Sequence, residues 1–461
     1  MADYDIVVIG SGPGGYVAAI RAGQLGMKTA IVERSDVGGV CLNWGCIPSK
    51  ALLRNAEVVS LFRRASDFGI TAENIQYDFG QAIDRSRQVV SSLTGGIRFL
   101  LKKNNVEYID GLGKLKTSNQ IEVLGDTSRV LDTENVILAT GARFRPVPQL
   151  DIDEKIVISS RQALEMREIP QKVVIVGGGA TGVEFAYLYR MYGSEVTIVE
   201  MLPRLVPLED EEISKHLEKS FQKQGIQSMT GAKVESLDIG TDEAVVTVSD
   251  ANGSTDLQCD KVLVAVGMQG NIEEIGLEDI GVITERGFVS VNERMETNIA
   301  GVFAIGDVTG KLLLAHVASA QGVLAVESIA GMEPPVLDYD LIPRATYCHP
   351  QIASFGLTEK QARDRGLKVR VGQFPFSASG KAIALGDTDG MVKIVVDDEL
   401  GDVLGAHMIG SEVTELLGEI GLAKMLESTT KELGWLVHPH PTISEMIKEA
   451  ALAAEGEAIH I

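Results

Sequence analysis

At roughly 100–200 residues per domain, a chain of 461 residues holds two to four domains. Its 64 acidic and 42 basic residues leave a net charge of −22, which argues against a nucleic-acid binder built on clustered Lys and Arg and against anionic membrane surfaces. Apolar residues make up 45%, yet no run approaches the ~18 needed to span a membrane, so the expectation is a globular chain that engages neither nucleic acid nor membrane.

Tyr4 to Ile9 reads as a buried strand almost at once. That leaves no room for a signal or transit peptide, and a cytoplasmic location is expected. The strand opens the segment DYDIVVIGSGPGGYVAAIRAGQLGMKTAIVE: strand, glycine turn, amphipathic helix and a second strand ending at Glu33.

Next comes CLNWGCIPSK, with Cys41 and Cys46 separated by four residues. In an ideal helix, Cα atoms at i and i+5 lie roughly 8.6 Å apart. A disulfide tolerates at most about 7 Å, so a bridge here requires the backbone to leave regular helix. Gly45 is expected to supply that freedom, and Pro48 suits the first turn of a following helix. A thiolate near that N-terminus is stabilised by the helix dipole. A redox-active pair is the favoured reading. Zinc and a purely structural bridge stay open, although no second Cys or His pair stands nearby to complete a zinc site. Cys259 and Cys348 have no partner in sequence and read as small buried hydrophobes.

A long helical pattern covers about 79–104, the alternation in IEVLGDTSRVLD predicts a small antiparallel meander, and VILATG (136–141) reads as a buried strand. The unit is then written a second time. QKVVIVGGGATGVEFAYLYRMYGSEVTIVE repeats strand, glycine turn, helix and strand; a meander follows in EAVVTVSDANGSTDLQCD, and VLVAVG (262–267) closes the copy. Glu33 stands 18 residues beyond Gly15, and Glu200 stands 18 beyond Gly182. From Gly15 to Gly141 is 126 residues but from Gly182 to Gly267 only 85, so the first copy carries about 41 extra residues, including the cysteine segment.

From about 341 the pattern changes. The strands MVKIVVDD and VLGAHMIG precede two predicted helices, at about 411–427 and 442–453, which reads as a separate α+β domain. In HPHPTISE, His440 stands five residues ahead of Glu445. Thr442 as a cap with Glu445 at the third helical position accounts for both residues without any chemistry. Beside a dithiol site, a His–Glu pair also qualifies as a general base whose tautomer the carboxylate sets. His438 has no acid at the same offset. His216, His316, His349, His407 and His460 read as surface or packing residues.

Each glycine turn, bracketed by strand and helix and followed by an acid, has the pattern that cradles a dinucleotide pyrophosphate. The first glycine permits the tight turn, the second admits the pyrophosphate, and the third lets helix and strand pack closely. The helix N-terminus offers free N–H groups to the phosphates. Glu33 and Glu200 are placed to accept hydrogen bonds from ribose hydroxyls. A carboxylate at Glu200 repels a 2′-phosphate and favours NAD over NADP, with nearby Arg204 keeping NADP open. Two turns imply two dinucleotides. The copy with the cysteines is expected to hold the redox-active ring, and a flavin fits because it accepts two electrons from thiols and passes them to a nicotinamide.

Over its whole length the chain resembles the flavin-dependent disulfide reductase family, on GSGPGGYVAAI, GGVCLNWGCIPSK, ATGARFRP, VGGGATGVEFA, VFAIGDV and HPHPTISE, in the family's order and spacing. The resemblance implies an α/β fold with two Rossmann-like dinucleotide-binding domains, for FAD and NAD, and a C-terminal α+β dimer-interface domain. The implied boundaries are 1–150 for FAD and the disulfide, 151–269 for NAD, 270–340 for a central segment completing the FAD site, and 341–461 for the interface. The implied FAD contacts are Gly10, Gly12, Gly14, Gly15, Glu33, Lys50, Thr140, Gly141, Asp307 on the ribityl chain, and Ala315. Those implied for NAD are Gly177, Gly179, Gly182, Glu184, Glu200 and Gly267.

By the same resemblance Cys41 exchanges with substrate and Cys46 faces the flavin. Lys50 and Glu184 form an ion pair near flavin N5, and His440 with Glu445 reaches across a homodimer to the partner subunit's Cys41. Val40, where the family commonly has Thr, and Trp44, in place of a small residue, are departures. Glu200, CLNWGCIPSK and the lack of any cysteine after Cys348 point to the family members that oxidise dihydrolipoyl groups with NAD+. The partners this implies are the lipoyl domains and acyltransferase core of 2-oxo acid dehydrogenase complexes, or a glycine-cleavage carrier protein. A net charge of −22 suits a basic docking module.

Overall fold

A computed structural model describes residues 2–126 and 128–461; Met1 and Thr127 lie outside the described residues. By its internal contacts the chain divides into two units. One comprises residues 1–51, 80–146 and 266–339, the other 52–79, 147–265 and 340–461.

The first unit is built on a sheet whose parallel strands run in the order Glu107–Asp110, Thr29–Glu33, Tyr4–Ile9, Arg129–Leu138 and Val302–Ala304. Val7 is in register with both Ala30 and Val136. Ile6 and Val8 pack to one face and Val7 and Ile9 to the other, all of them buried. A strand covered on both faces must be apolar throughout, which is why the opening run shows no alternation. The expected meander forms where Leu112–Thr117, Gln120–Leu124 and the first half of Arg129–Leu138 pair antiparallel. The long helix spans Phe79–Lys103, as its period predicts. Helices Pro13–Gln24 and Ala315–Ile329 pack so closely that a Cβ on Gly322 would lie 2.7 Å from the Gly14 carbonyl oxygen, with Ala18 and Ala318 beside the contact and Arg21 paired to Glu327 across the seam.

The second unit repeats this parallel order with Ile226–Thr230, Glu195–Glu200, Lys172–Val176 and Lys261–Val264, and adds Val157–Ile158 at the edge. Helix Ala180–Tyr192 follows its glycine turn, and the second meander pairs Lys233–Ile239, Ala244–Asp250 and Gly253–Cys259. The duplication seen in the sequence is thus a duplicated strand order.

The same unit carries a five-stranded antiparallel sheet in the order Arg344–Thr346, Gln351–Gly356, Val403–Gly410, Met391–Asp397 and Val369–Pro375. Phe374, Val392, Ile394 and Met408 form its core with Met446, Ile447 and Ala450 of helix Glu445–Ala454. The C-terminal helices differ from expectation in detail. The first is a 3-10 turn, Val413–Leu416, running into Leu417–Met425, and a short helix over Thr430–Trp435 was not anticipated. Thr429 caps that short helix with a reciprocal box to Glu432, a local signal in TTKE that the apolar period did not carry. Among the described residues no helix is long and apolar enough to cross a membrane.

Candidate redox-active site

In the first glycine turn Gly10 has φ +103° and lies against the Ala139 carbonyl, where any Cβ would overlap it. A Cβ on Gly15 would likewise overlap the Gly10 carbonyl, so strand and helix touch backbone to backbone. Gly12 is the N-cap of helix Pro13–Gln24, with no side-chain cap and no heavy atom within 4 Å of its Cβ position. Glu33 at the end of the second strand accepts hydrogen bonds from the Ser11 N–H (2.7 Å) and hydroxyl (2.8 Å), and its other oxygen accepts from the Ser35 N–H. Ser11 as the partner of Glu33 was not foreseen.

The second turn has the same geometry. Gly177 has φ +113°, a Cβ on Gly182 would overlap the Gly177 carbonyl, and Gly179 caps helix Ala180–Tyr192 with open space beside it. Glu200 accepts from the N–H groups of Gly178 (2.6 Å) and Leu202 (2.7 Å). Arg204 is engaged elsewhere: its guanidinium pairs with Glu211 at 3.4 Å and donates to the Pro207 carbonyl at 3.1 Å. That arrangement weakens the one sequence feature that kept NADP open. Glu184 is buried on the second helix and accepts from the Tyr347 N–H at 2.9 Å.

The cysteines lie at a break between two helices, Gly39–Asn43 and Cys46–Arg63. They are disulfide-bonded, with Cα atoms 4.7 Å apart, well inside the limit that regular helix would exceed. The conformational freedom is not at Gly45, as expected, but ahead of the pair, at Gly38 (φ +98°) and Gly39 (φ +59°). Gly45 instead allows close approach, since its Cβ would sit 3.0 Å from the Val40 carbonyl oxygen. The Gly38 N–H donates to the Ser11 carbonyl at 2.9 Å, and a Cβ on Gly39 would come within 2.7 Å of Gly12 Cα. The cysteine segment is therefore seated directly on the first glycine turn. Asn43 locks it by donating to the carbonyls of Val37 and Gly39, while Arg87 from the long helix donates to the Asn43 carbonyl at 2.7 Å. Lys50 is one turn beyond Cys46 on the same helix. Cys259 and Cys348 are buried and unbridged, and burial pushes the Cys259 thiol up to about 11, far from a reactive thiolate.

Elsewhere in the first unit, Thr140 and Asn271 exchange hydrogen bonds of 2.8 Å each, and the Asn271 N–H donates to the Gly141 carbonyl. Gly267 (φ +61°) precedes the strand Met268–Gly270 that pairs with Ala142–Phe144. Asp307 stands in the 3-10 turn Gly306–Thr309, and Ala315 begins the helix that follows. The turn is held by Gln321, which accepts from the Gly306 N–H at 2.6 Å.

His440 and Glu445 do meet: Nδ1 lies 2.9 Å from Glu445 Oε1, and Oε2 accepts from the Thr442 N–H at 2.8 Å. The expected capping box is only half formed. Glu445 opens its helix rather than standing third in it, and the Thr442 hydroxyl donates to the Pro439 carbonyl. Burial raises the Glu445 pKa, but the Thr442 N–H and His440 outweigh it and hold the carboxyl below its ordinary range. With an ionised carboxylate on Nδ1, the imidazole keeps its proton there and presents Nε2 as a base. The His440 side chain is 78% exposed. The His438 side chain, in contrast, is only 3% exposed with Nε2 2.8 Å from Glu419, a pairing across 19 residues that no local spacing signalled.

The residues present fit two dinucleotides. Both N-caps leave open space over an uncapped helix N-terminus, where a pyrophosphate finds free N–H groups. Asp307 adds a second indication, because burial alone pushes its carboxyl up to about 6 and a hydroxyl-bearing chain would supply the missing donors. A proton is thus held more tightly by the folded, flavin-free chain than by the unfolded one, whose value is about 3.9. Stability from this group is full below about pH 4 and is lost as pH rises through about 6, by at most about 3 kcal/mol. In flavin-free protein, Asp307→Asn is expected to flatten that part of the dependence, read as the difference in thermal midpoint from the unsubstituted chain between pH 4 and 7.

Residues 4–322 match the pyridine nucleotide-disulphide oxidoreductase family and residues 342–451 its dimerisation domain. The chain is 46% identical to dihydrolipoyl dehydrogenase of Bacillus subtilis, over 99% of both chains, and 48% identical to that of Mycobacterium leprae, over all of both. Among solved structures it is similar to LpdA from Mycobacterium tuberculosis (TM-score 0.90, 26% identity, 97% of this chain and 98% of that one). The HOCl-induced flavoprotein disulfide reductase of Escherichia coli is similar too (TM-score 0.87, 27% identity, 97% and 99%). A disulfide seated on one of two duplicated glycine turns, matched from end to end in this way, means that the chain belongs to the pyridine nucleotide-disulphide oxidoreductase family.

Proposed function

We propose that this enzyme oxidises protein-bound dihydrolipoyl groups to the lipoyl disulfide, with NAD+ as the final acceptor. It is a flavoprotein oxidoreductase whose cofactors are FAD and NAD. The observation that carries the reading is the Cys41–Cys46 disulfide packed against the first glycine turn through Gly38 and Gly39. Full-length relatives named dihydrolipoyl dehydrogenase support the choice of substrate.

In this reading His440 takes the proton of a dihydrolipoyl thiol at Nε2, and Glu445 stabilises the imidazolium through Nδ1–H. The thiolate attacks Cys41 Sγ, the Cys41–Cys46 bond breaks, and Cys46 leaves as a thiolate. The second substrate thiol then displaces Cys41, releasing lipoyl disulfide and leaving both cysteines reduced, so two electrons have passed from substrate to protein. FAD, when bound at the first turn, supplies a two-electron acceptor for the dithiol and a donor for NAD+. Glycines 10, 12, 14 and 15, Glu33, Thr140, Gly141, Asp307 and Ala315 are assigned to hold it, and Lys50 with Glu184 is assigned to its reacting edge. Gly177, Gly179, Gly182, Glu200 and Gly267 are assigned to NAD.

The domain boundaries proposed from the sequence go with this assignment. The working form is a homodimer in which His440 serves the partner subunit's Cys41. Met425, Leu426, Trp435 and Val437 in the 342–451 segment are large, apolar and exposed in the single chain, as a surface covered by a second copy would be. Lipoyl domains and the core of a 2-oxo acid dehydrogenase complex, or a glycine-cleavage carrier protein, are the proposed partners, with the cytoplasm as the proposed location. Purified protein is expected to form NADH from dihydrolipoamide and NAD+, and little NADPH when NADP+ is supplied in parallel. Turnover with neither acceptor would overturn the reading.

A further inference from the structure

The loop after Glu200 contains a residue in a conformation its side chain disfavours, and the groups that hold it there lie on another sheet. Val206 has φ +41°, in the left-handed region that a β-branched residue rarely enters. Such a conformation persists only where the surroundings over-determine it. On the nucleotide side, the Val206 N–H donates to the Gly178 carbonyl at 2.8 Å. Leu205 is fully buried over Gly178, and its N–H donates to Glu218 at 2.9 Å. The loop therefore lies on the glycine turn whose Gly178 N–H donates to Glu200.

At its other end the loop is tied by charge. Lys393, on the interior strand Met391–Asp397 of the antiparallel sheet and 1% exposed, places its Nζ 3.0 Å from Asp210, 2.6 Å from Glu212 and 2.8 Å from Glu359. Asp210 also caps helix Glu211–Gln224. One residue earlier, Glu209 accepts from Arg344 at 3.2 Å and from the Ser354 hydroxyl. A buried ammonium shared by three carboxylates is costly to unpair, so it fixes the position of Asp210 far more firmly than an exposed ion pair would. Only Pro207 and Leu208 separate Val206 from these two anchored acids.

We infer that Lys393 is a positioning residue for the nicotinamide dinucleotide: by anchoring Asp210 it holds the Val206 turn down on Gly178, and so sets the Glu200 end of that site. Lys393 touches no reacting atom. This rests on the assignment of the second glycine turn to NAD.

The test is NAD+ titration calorimetry on the flavin-loaded protein, with hydrogen exchange of the Val206 amide as a structural readout. Lys393→Met is expected to weaken NAD+ binding about tenfold, equivalent to about 1.4 kcal/mol, and to speed exchange at Val206. Its kcat at saturating NAD+ should change little. If the strained turn is what Lys393 holds, Lys393→Met with Val206→Gly should regain most of the lost affinity, because glycine accepts φ +41° without strain. Should Lys393→Met fail to fold, Arg344→Gln, which frees Glu209 instead, carries the same expectations with a smaller loss. A lowered thermal midpoint with unchanged NAD+ affinity would overturn the inference, and so would a double variant no better than the single one. Failure of the parent assignment looks different: the unsubstituted protein would itself show no NAD+ binding.

Discussion

Cys46→Ser is expected to lower dihydrolipoamide oxidation by roughly 10⁴-fold or more, the scale on which losing a member of a covalent relay acts. Serine cannot form the bridge that Cys41 and Cys46 make across the helix break. Cys41 is then a lone thiol with no disulfide for the substrate thiolate to attack, and the two-electron transfer has nowhere to begin. The local structure should survive, because the segment is anchored by Gly38 on Ser11, by Gly39 against Gly12, and by Asn43 with Arg87, none of which uses the sulfur. Dye reduction by NADH, which bypasses the cysteines, should therefore persist and serves as the control for folding and cofactor content. Lipoamide turnover within tenfold of the unsubstituted enzyme would refute the dithiol relay.

His440→Gln is expected to cost about 10²–10⁴-fold in the same assay, the usual worth of a positioned general base. Glutamine can still donate toward Glu445 but offers no basic nitrogen to a thiol. The loss should fall on the rate of disulfide reduction by dihydrolipoamide, followed in a rapid-mixing experiment, while electron transfer from NADH is unaffected. Glu445→Gln should do less harm, since it weakens tautomer control and charge stabilisation without removing the base. The reverse order, with Glu445 the more damaging position, would mean that the pair acts chiefly as a helix-start structure. The observed geometry leans the other way: Glu445 gives one oxygen to the Thr442 N–H and keeps the other for His440.

Much of the site was legible because its chemistry depends on neighbours in sequence. A glycine turn needs Gly10, Gly12 and Gly15 within six positions, the cysteine pair likewise fits within six, and His440 finds Glu445 five residues on. Each element is a local constellation whose spacing alone limits what the backbone can do. The duplicated unit was visible for the same reason, as a strand–turn–helix–strand written twice. The misread points were local in a subtler way. The spacing points to Gly45 as the flexible residue, whereas the positive φ values fall at Gly38 and Gly39, because seating the segment on Ser11 and Gly12 bends the chain before the cysteines. Thr442 has the sequence position of a helix cap, yet its hydroxyl donates to the Pro439 carbonyl.

The two glycine turns, the cysteine pair, the His440–Glu445 neighbours and the strands Met391–Asp397 and Val403–Gly410 could all be read along the chain. These follow from periodicity, glycine conformation and the short reach of side chains along one chain. Which distant groups meet emerges from the fold: Ser11 with Glu33 across 22 residues, His438 with Glu419 across 19, and Lys393 with Asp210 across 183. Such pairings leave no periodic trace, because the energy of a buried charge depends on what the fold places around it and not on its sequence neighbours. In MVKIVVDD, Lys393 interrupts the apolar run ahead of the closing Asp397 and Asp398; three carboxylates drawn from two other segments are what make it tenable in the core.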